Sequence, residues 1–286
     1  IEDAIRAMPW PKSMRWGRNS FRWVRPLHHI LAIFDKEKLE GHLTLGDDVI
    51  EYTNMTRGHR FLAPQSFKVE SFSDYQKKLR KAFVVIDREE RKSIIMEKAQ
   101  NLANAQGVEL KDDPSLLEEV CGLIEWPNPL MGKIQNEFMT VPPEVLVCAM
   151  RSHQKYFALT SHDGELSPNF ITISNMSSNT KRNETTINGN ERVLSARLSD
   201  AKFFWDQDRA IKLSSRIPEL ANVKFYEKLG TLGEKMVRVE ALGVYLSKWV
   251  PDTDNTGLKR AAQLAKADLT TSMVGEFPEL QGIMGS

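Results

Sequence analysis

Basic side chains at helical spacing are the residues of this sequence whose chemistry is easiest to name. Arg192 and Lys202 share one face of a predicted helix, and His153 and Lys155 lie just before a predicted hairpin. Because lysine and arginine neutralise phosphate, this grouping is typical of a surface that binds a polyanion such as RNA. A solvated helix face with ordinary surface charges produces the same pattern, so charge alone does not decide between them.

A second basic group lies near the start of the chain. Arg15 belongs to a segment in which arginines alternate with tryptophan and phenylalanine, a composition that suits RNA because rings stack on unpaired bases. A strand at the edge of a core, with its rings inward and its arginines outward, is the other interpretation and the favoured one for the aromatic residues. Further on, Arg57, His59 and Arg60 surround Gly58, where the backbone can approach a partner closely. This motif, TRGHRF (56–61), predicts either a phosphate-contacting loop or a turn held by arginine–carboxylate pairs.

The elements that would position these residues follow from the hydrophobic pattern. Apolar runs at 156–159 and 170–173 flank turn residues at 161–164, which predicts a β-hairpin. Asn188 and Glu191 have the spacing of a capping box, which predicts that a helix starts there. The apolar stripe of that helix comprises Leu194, Leu198, Ala201 and Trp205.

Other helix starts are marked by polar residues that precede apolar spacing. They are predicted at Ser73, Asp87, Asp113 and Thr231, and a strand is predicted at 130–134 after two prolines. The buried face expected for the helix after Thr231 comprises Leu232, Met236, Val239, Leu246 and Val250.

The order of these elements predicts the fold class. Residues 1–215 interleave strands and helices without the regular alternation of a parallel βαβ fold, whereas residues 216–286 have an almost purely helical pattern. We therefore expect an α+β domain with a mixed or antiparallel sheet and packed helices, followed by an all-helical domain. A chain of 286 residues is long enough for two such cores.

Composition and motifs exclude several classes of function. The chain has 39 basic and 38 acidic residues, so only clustered basic residues would attract nucleic acid. No apolar run approaches the length of a transmembrane helix. Cys121 and Cys148 lie far apart in apolar settings, which predicts buried free thiols. There is no nucleotide-binding loop, HExxH motif or nucleophile elbow, and His28-His29 lacks a third ligand at metal-site spacing.

Short sequence motifs distributed along the whole chain resemble those of one family. They occur in family order and are MRWG (14–17), VRPL (24–27), TRGHRF (56–61), EWP (125–127), VPPE (141–144), HQKYF (153–157), GNERV (189–193), ARLSDAKFFW (196–205) and AKADL…MVGEFPELQGIMG (265–285). Together they resemble the beta subunit of bacterial heterotetrameric glycyl-tRNA synthetase, a class II aminoacyl-tRNA synthetase.

The resemblance implies an architecture and partners. Members of this family are longer than this chain, which implies an internal fragment. The first region resembles the editing-type domain of the phenylalanyl-tRNA synthetase beta subunit, and residues 216–286 resemble the start of an HD-type helical domain. The expected partners are the alpha subunit, in an α2β2 tetramer, and tRNA(Gly), in the cytoplasm and without a membrane. ATP and magnesium would be used through the alpha subunit, with no cofactor held by this fragment.

The HD-type region departs from its family pattern at the residues that would bind metal. The pair that names such domains appears as Ala267-Asp268, and all six histidines lie outside residues 216–286. Since an HD site needs histidine ligands, we expect no metal site there. Asp268 is expected to be a helix-packing or polar-network residue.

The function that the resemblance implies is therefore a supporting one. We expect no catalytic residue in this fragment, which would hold the alpha subunit and present tRNA to it for the ATP-dependent attachment of glycine. Arg197 also fits an internal ion pair with Asp200. The candidate tRNA contacts are Arg15, Arg57, His59, Arg60, His153, Lys155, Arg192, Arg197 and Lys202.

Two other functions stay open from the sequence. The fragment fits a scaffold that binds only protein, with all tRNA contacts in other regions of the subunit. It also fits an editing hydrolase, active or vestigial, because such a pocket need not leave a motif. Glycine argues against a need for editing, since it is the smallest amino acid and the synthetic site can exclude larger ones by size.

Overall fold

The computed structural model describes every residue of the chain except Asp47. Its residues form two compact units. The first comprises Ile1–Ile95, Cys121–Asn128 and Ser174–Ser177, and the second comprises Met96–Val120, Pro129–Ile173 and Ser178–Ser286. The predicted boundary between 1–215 and 216–286 does not coincide with this division and stays a prediction.

The first unit is built mainly from short strands. Strand β5 pairs in parallel with β1 and antiparallel with β4, while β2–β3 and β6–β7 are separate antiparallel pairs. This mixed pairing agrees with the predicted α+β class. The elements are α1 (Glu2–Ala7), β1 (Ile30–Leu31), β2 (Ile33–Phe34), β3 (Glu37–Lys38), β4 (His42–Leu45), β5 (Asp48–Thr53), β6 (Met55–Arg57), β7 (Ser66–Lys68) and α2 (Phe72–Lys81).

Two helices have residues in both units, α3 (Arg88–Ala105) and α4 (Pro114–Leu123). Both begin where the sequence predicts. The Asp87 carboxylate accepts a hydrogen bond from the Glu90 N–H (2.8 Å), and the Asp113 carboxylate accepts one from the Leu116 N–H (2.9 Å). Each aspartate thus satisfies a backbone donor that has no partner within its helix.

The second unit contains the longer helices and a four-stranded sheet in the order β8-β10-β11-β9. Helices and strands from residue 109 onward, apart from α4, are β8 (Glu109–Leu110), β9 (Asn128–Lys133), α5 (Pro143–Ala149), β10 (Phe157–Thr160), β11 (Leu166–Ser174), α6 (Thr180–Arg209), β12 (Lys224–Tyr226), β13 (Gly230–Thr231), α7 (Leu232–Leu246), α8 (Asn255–Leu264) and α9 (Ser272–Glu276). Short 3₁₀ turns at 136–140, 213–222, 247–249, 267–270 and 278–280 connect them.

The predicted hairpin and the helix that follows it form the centre of the second unit. Strands β10 and β11 are antiparallel, with Phe157 opposite Ile171, which confirms the hairpin. The predicted stripe of α6 is also confirmed: Leu194, Leu198 and Ala201 are buried against the hairpin and α5. The same core takes Met273, Phe277 and Leu280 from a segment much later in the chain.

Two predicted helix starts are wrong. Helix α6 begins at Thr180, because Asn179 accepts a hydrogen bond from the Arg182 N–H (3.1 Å), and Asn188 lies inside the helix. The first two turns are polar and carry no apolar stripe, so the sequence pattern starts late. Helix α2 begins at Phe72, and its N-cap is Ser71, two residues before the predicted Ser73; the Ser71 hydroxyl accepts a hydrogen bond from the Asp74 N–H (3.2 Å).

The region from residue 216 onward is not all-helical. Strands β12 and β13 form a small antiparallel pair, and Gly230 has the positive φ (78°) that such a turn requires. The capping box of α7 is confirmed, with Thr231 and Glu234 bonded reciprocally. Its predicted buried face is only partly right, because Leu232 and Met236 are buried while Val239, Leu246 and Val250 are exposed.

Candidate nucleic-acid interface

The segment before the hairpin positions two of the predicted RNA contacts. It forms a turn of π-helix (Met150–Gln154) and then places Lys155 in the left-handed conformation (φ 59°). Lys155 Nζ lies 2.9 Å from the Glu119 carboxylate, and the His153 ring meets Phe277 edge-on with centroids 5.6 Å apart. Both side chains therefore have partners within the protein, and RNA would compete with Glu119 for Lys155.

The neighbouring Arg151 is also held by a carboxylate. Its Nε donates to Asp113 Oδ2 (2.6 Å), and its Nη2 donates to Ser115 Oγ (2.9 Å). Burial raises the pKa of Asp113, but the hydrogen bonds from Arg151 and from the Leu116 N–H outweigh it and hold that pKa below its usual range. Asp113 therefore carries a charge at neutral pH and fixes Arg151 in place.

Helix α6 presents its basic residues differently. Arg192 is exposed and has no ion pair within the described part of the chain, whereas Lys202 lies 2.6 Å from the Asp206 carboxylate. Arg197 is half-buried, and the ion pair with Asp200 that its spacing allows is not present in the described residues. Among the three candidates on this helix, Arg192 is thus the one most available to a phosphate.

A hydrogen bond joins the start of the hairpin to α6 close to Arg192. The Tyr156 hydroxyl donates to Asn190 Oδ1 (2.5 Å), and burial raises the pKa of Tyr156 to about 12. At the next residue of the helix, the Glu191 carboxylate accepts a hydrogen bond from the Lys133 N–H (2.8 Å), which ties the helix to strand β9. The basic groups predicted on the hairpin approach and on the helix therefore belong to one connected structure.

The aromatic residues near Arg15 pack on one another. Trp10 and Trp23 meet edge-on with ring centroids 4.8 Å apart, Phe21 stacks on Trp23, and Trp16 meets Phe21 edge-on. All four rings are half-buried, as the edge-strand interpretation predicts, but the segment forms only the isolated bridge Met14–Trp23 and no strand. Arg15 is exposed and unpaired in the described structure. The rings are thus occupied, and the arginine is the group left for a partner.

Gly58 is required by a close approach of two backbones. A Cβ at this position would overlap Ala82 and lie 2.6 Å from its carbonyl oxygen, which accepts a hydrogen bond from the His59 N–H (2.9 Å). The arginine–carboxylate pairs proposed for this turn are absent among the described residues. Arg57 is exposed and unpaired, and Arg60 lies over the Phe61 ring at 5.6 Å.

His59 has a structural position. It is buried, and its Nδ1 accepts hydrogen bonds from the N–H groups of Phe61 and Leu62 (3.2 Å each). The proton of the ring therefore lies on Nε2, which donates to the Asn175 carbonyl (2.6 Å). With both nitrogens bonded to backbone, His59 has none to offer RNA, and we assign it to the structure of the loop.

The first unit contains a cleft of about 560 Å³ that the sequence does not predict. Its lining comes from six separate stretches of the chain, so no local motif marks it. The basic loop containing Arg60 and Phe61 forms one side, and the segment 122–125 forms another. The polar residues that line it are His59, Arg60, Tyr75, Arg91, Glu125 and Asn175.

The groups that could act as nucleophile or metal ligand have other roles. Burial raises the pKa of the Cys148 thiol, and Glu279 adds to this, so the thiolate is disfavoured; both cysteines are buried and free, as predicted. Asp268 is buried and its carboxylate accepts a hydrogen bond from the Gly282 N–H, which confirms a polar-network role. Apart from the undescribed Asp47, no three His, Cys, Asp or Glu side chains are grouped to hold a metal ion.

No helix in the described residues combines the length and apolarity needed to cross a membrane.

Comparisons with known proteins match the whole chain to one family. A family model described as "Glycyl-tRNA synthetase beta subunit" matches residues 1–286. The glycine–tRNA ligase beta subunit of Rhodospirillum centenum is 52% identical over all of this chain and 43% of that protein. Those of Paracoccus denitrificans and Trichlorobacter lovleyi are 46% and 44% identical, over 100% and 98% of this chain and 42% and 40% of their own lengths. The chain thus spans about two fifths of these relatives.

Proposed function

We propose, because the chain belongs to the glycyl-tRNA synthetase beta subunit family, that it is a non-catalytic part of a glycine–tRNA ligase. It binds tRNA(Gly), the catalytic alpha subunit, or both, in an α2β2 assembly in the cytoplasm. The ATP and magnesium that ligation requires are used through the alpha subunit. The supporting resemblance covers the whole chain, while the chain covers about two fifths of its relatives.

The observation that carries the tRNA-binding role is a set of exposed arginines without acidic partners. Arg15, Arg57 and Arg192 form no ion pair within the described part of the chain, although Lys155 and Lys202 do. An unpaired exposed arginine can neutralise a phosphate without first giving up an internal partner. Together with Arg60, which is also exposed and forms no ion pair among the described residues, these positions are the strongest candidates among the predicted contacts.

The proposal includes the ancestry of the two predicted domains. Residues 1–215 derive from an editing-type domain, and residues 216–286 begin a degenerate HD-like domain. The assignment as HD-like rests on the sequence resemblance, and its degenerate character is supported by the lack of any histidine after residue 215 and by the hydrogen bond of Asp268 to backbone. An HD-like domain of this kind contributes packing surface rather than metal chemistry.

The proposal is tested by tRNA(Gly) binding across a salt series, with an unrelated tRNA as specificity control. We expect Arg192→Glu to raise the dissociation constant and to lower the salt slope by about 1, because one phosphate contact is lost. Lys259→Glu is the matched control, because this substitution makes the same change in net charge. Lys259 is exposed and lies outside the sequence motifs that resemble the family. Equal effects of the two substitutions would remove Arg192 from the interface.

A scaffold that binds only protein is the second candidate, and one observation favours it. Helix α7 and the turn after it expose a set of large apolar side chains, which is typical of a protein contact. These side chains are Val237, Leu242, Tyr245, Leu246, Trp249 and Val250. A folded chain that associates with the alpha subunit but binds no tRNA at low salt would establish this role in place of the first.

A further inference from the structure

We propose that the cleft of the first unit holds one unpaired nucleotide of the bound RNA, with its base stacked on Phe61 and an adjacent phosphate on Arg60. This inference rests on the proposed tRNA-binding function and names a site for it. The volume of about 560 Å³ falls in the range of small-ligand pockets, about 300–1,000 Å³. A pocket of this size admits a single nucleotide and excludes a double helix.

The Phe61 ring is presented to solvent at the side of the cleft. It is 71% exposed, in contrast to the half-buried rings near Arg15 that pack on each other. The Arg60 guanidinium lies over the ring at 5.6 Å from its centroid, and the His59 ring is tilted by 53° with centroids 6.2 Å apart. Since the side chain is nevertheless mostly exposed, part of the ring is open to a base. Exposure alone does not mark a binding site, since Phe34 is 73% exposed; Phe61 differs because it lines the cleft, and a base is a flat partner that every RNA supplies.

The loop that carries Phe61 is held rigidly. Two consecutive N–H groups, those of Phe61 and Leu62, donate to His59 Nδ1, and the Ala63 N–H donates to the His59 carbonyl (2.9 Å). The opposite ring nitrogen is bonded to the Asn175 carbonyl. Because the loop is already ordered, stacking a base on the ring requires little further loss of conformational entropy.

Polar groups around the cleft match the edge of a base. Asn175 Oδ1 accepts from the N–H groups of Glu125 and Trp126 (2.9 Å each), which orients the amide and leaves its NH₂ as a donor. Arg91 donates through Nε and Nη1 to three backbone carbonyls, and its Nη2 has no partner in the described structure. The exposed Glu125 carboxylate supplies an acceptor, so the lining holds both donors and an acceptor.

A cation without an acidic partner lies over the ring. Arg60 is exposed, lies 5.6 Å from the Phe61 ring centroid, and forms no ion pair among the described residues. Arg80, which lies over Trp126, is by contrast bound to Glu90 at 2.5 Å. The loop thus combines an aromatic ring for stacking with a guanidinium that has no acidic partner. Sites that bind single-stranded nucleic acid use the same combination.

The test uses the full-length beta subunit in complex with its alpha subunit, titrated with tRNA(Gly). We expect Phe61→Ala to weaken binding by about 5- to 150-fold, the range for removing one base–aromatic stack. Phe61→Tyr keeps the ring and should bind within a few fold of the parent. Phe34→Ala is the matched control, since Phe34 is 73% exposed in the same unit and lies outside the cleft; it should change nothing.

A photoreactive p-benzoylphenylalanine placed at position 61, and separately at position 34, provides a second measurement. We expect crosslinks from position 61 to one or two adjacent nucleotides that are unpaired, and none from position 34. Unchanged affinity of Phe61→Ala together with no crosslink at position 61, in a complex that binds tRNA, would overturn the cleft site and leave the proposed function standing. A parent complex that binds no tRNA at any salt concentration would overturn both.

Discussion

The ion pair between Asp208 and Arg216 allows a stringent test of what stabilises the second unit. Asp208 Oδ1 lies 2.7 Å from Arg216 Nη2, and the two side chains are only 10% and 8% exposed. Asp208 also accepts hydrogen bonds from the backbone N–H groups of Ser272 (3.1 Å) and Met273 (2.7 Å). Asp208→Ala therefore leaves a buried guanidinium and two backbone donors without their acceptor.

The magnitude follows from burial. Removing one partner of a buried ion pair costs about 3–5 kcal/mol, because the remaining charge stays in the protein without that partner. Arg216 keeps a hydrogen bond to the Thr270 carbonyl (2.8 Å) and a longer contact with the 53% exposed Glu219 (3.8 Å), and neither replaces the short, buried contact with Asp208. Lys202 and Asp206 form a pair on the same helix at 2.6 Å, but their side chains are 35% and 56% exposed. Exposed pairs contribute about 0.2–1 kcal/mol, so Asp206→Ala is a matched control with the same substitution two residues away.

Urea and thermal unfolding followed by circular dichroism measure the difference. We expect Asp208→Ala to lower the free energy of unfolding by about 3–5 kcal/mol and Tm by about 6–20 °C. Asp206→Ala should lower it by no more than about 1 kcal/mol. Equal losses in the two variants would refute the reasoning, because the two pairs have nearly the same length and differ in burial.

Gly58→Ala should lower the free energy of unfolding by about 1–3 kcal/mol, because the added methyl group overlaps Ala82. Gly189→Ala should raise it by up to about 1 kcal/mol, because Gly189 lies inside α6 with open space around it. Changes of the same sign in the two variants, measured by chemical denaturation, would contradict this. Asp113→Asn should cost up to about 1 kcal/mol at neutral pH, since Arg151 is 41% exposed. Because the pKa of Asp113 is lowered from 3.8, this difference from the parent should be full above that pH and vanish as pH falls through the lowered value; a pH-independent difference would be inconsistent with the ion pair.

Local signals in the sequence predict those parts of the fold that depend on neighbouring residues. The hairpin at 157–174 follows from two apolar runs and a turn, and the starts of α3, α4 and α7 follow from their capping residues. The capping hydrogen bonds join residues three positions apart, and the paired residues of the hairpin are six to fourteen positions apart, so the partners lie close together in the chain.

Features that depend on distant partners are not predictable in this way. The polar first turns of α6 extend the helix to Thr180 without an apolar stripe, and Glu191, predicted as a capping residue, instead accepts from the Lys133 N–H 58 residues away. The face of α7 has the right periodicity for burial, yet Val239 and Leu246 have no described core to cover them. Periodicity shows that a face is apolar, and only tertiary contacts show whether it is buried.

The candidate site divides along the same line. Residue type and spacing identify basic positions, but they do not reveal that Lys155 faces Glu119 or that the ring of His59 is committed to backbone groups. The cleft around Phe61 is assembled from residues 59 to 175 and has no motif. The sequence therefore identifies candidate basic residues, and the structure shows which of them have no partner within the protein.

Met273, Phe277 and Leu280 belong to the core of the second unit but come late in the sequence, and this affects how the chain folds during synthesis. The hairpin and α6 are complete at about residue 209, yet these three side chains close the same core from more than 60 residues further on. At about 5–20 residues per second, a ribosome takes roughly 4–15 s to pass from Trp205 to Leu280. Throughout that interval the nascent core presents an apolar face to its surroundings, and this is when a chaperone that binds hydrophobic segments would engage the chain.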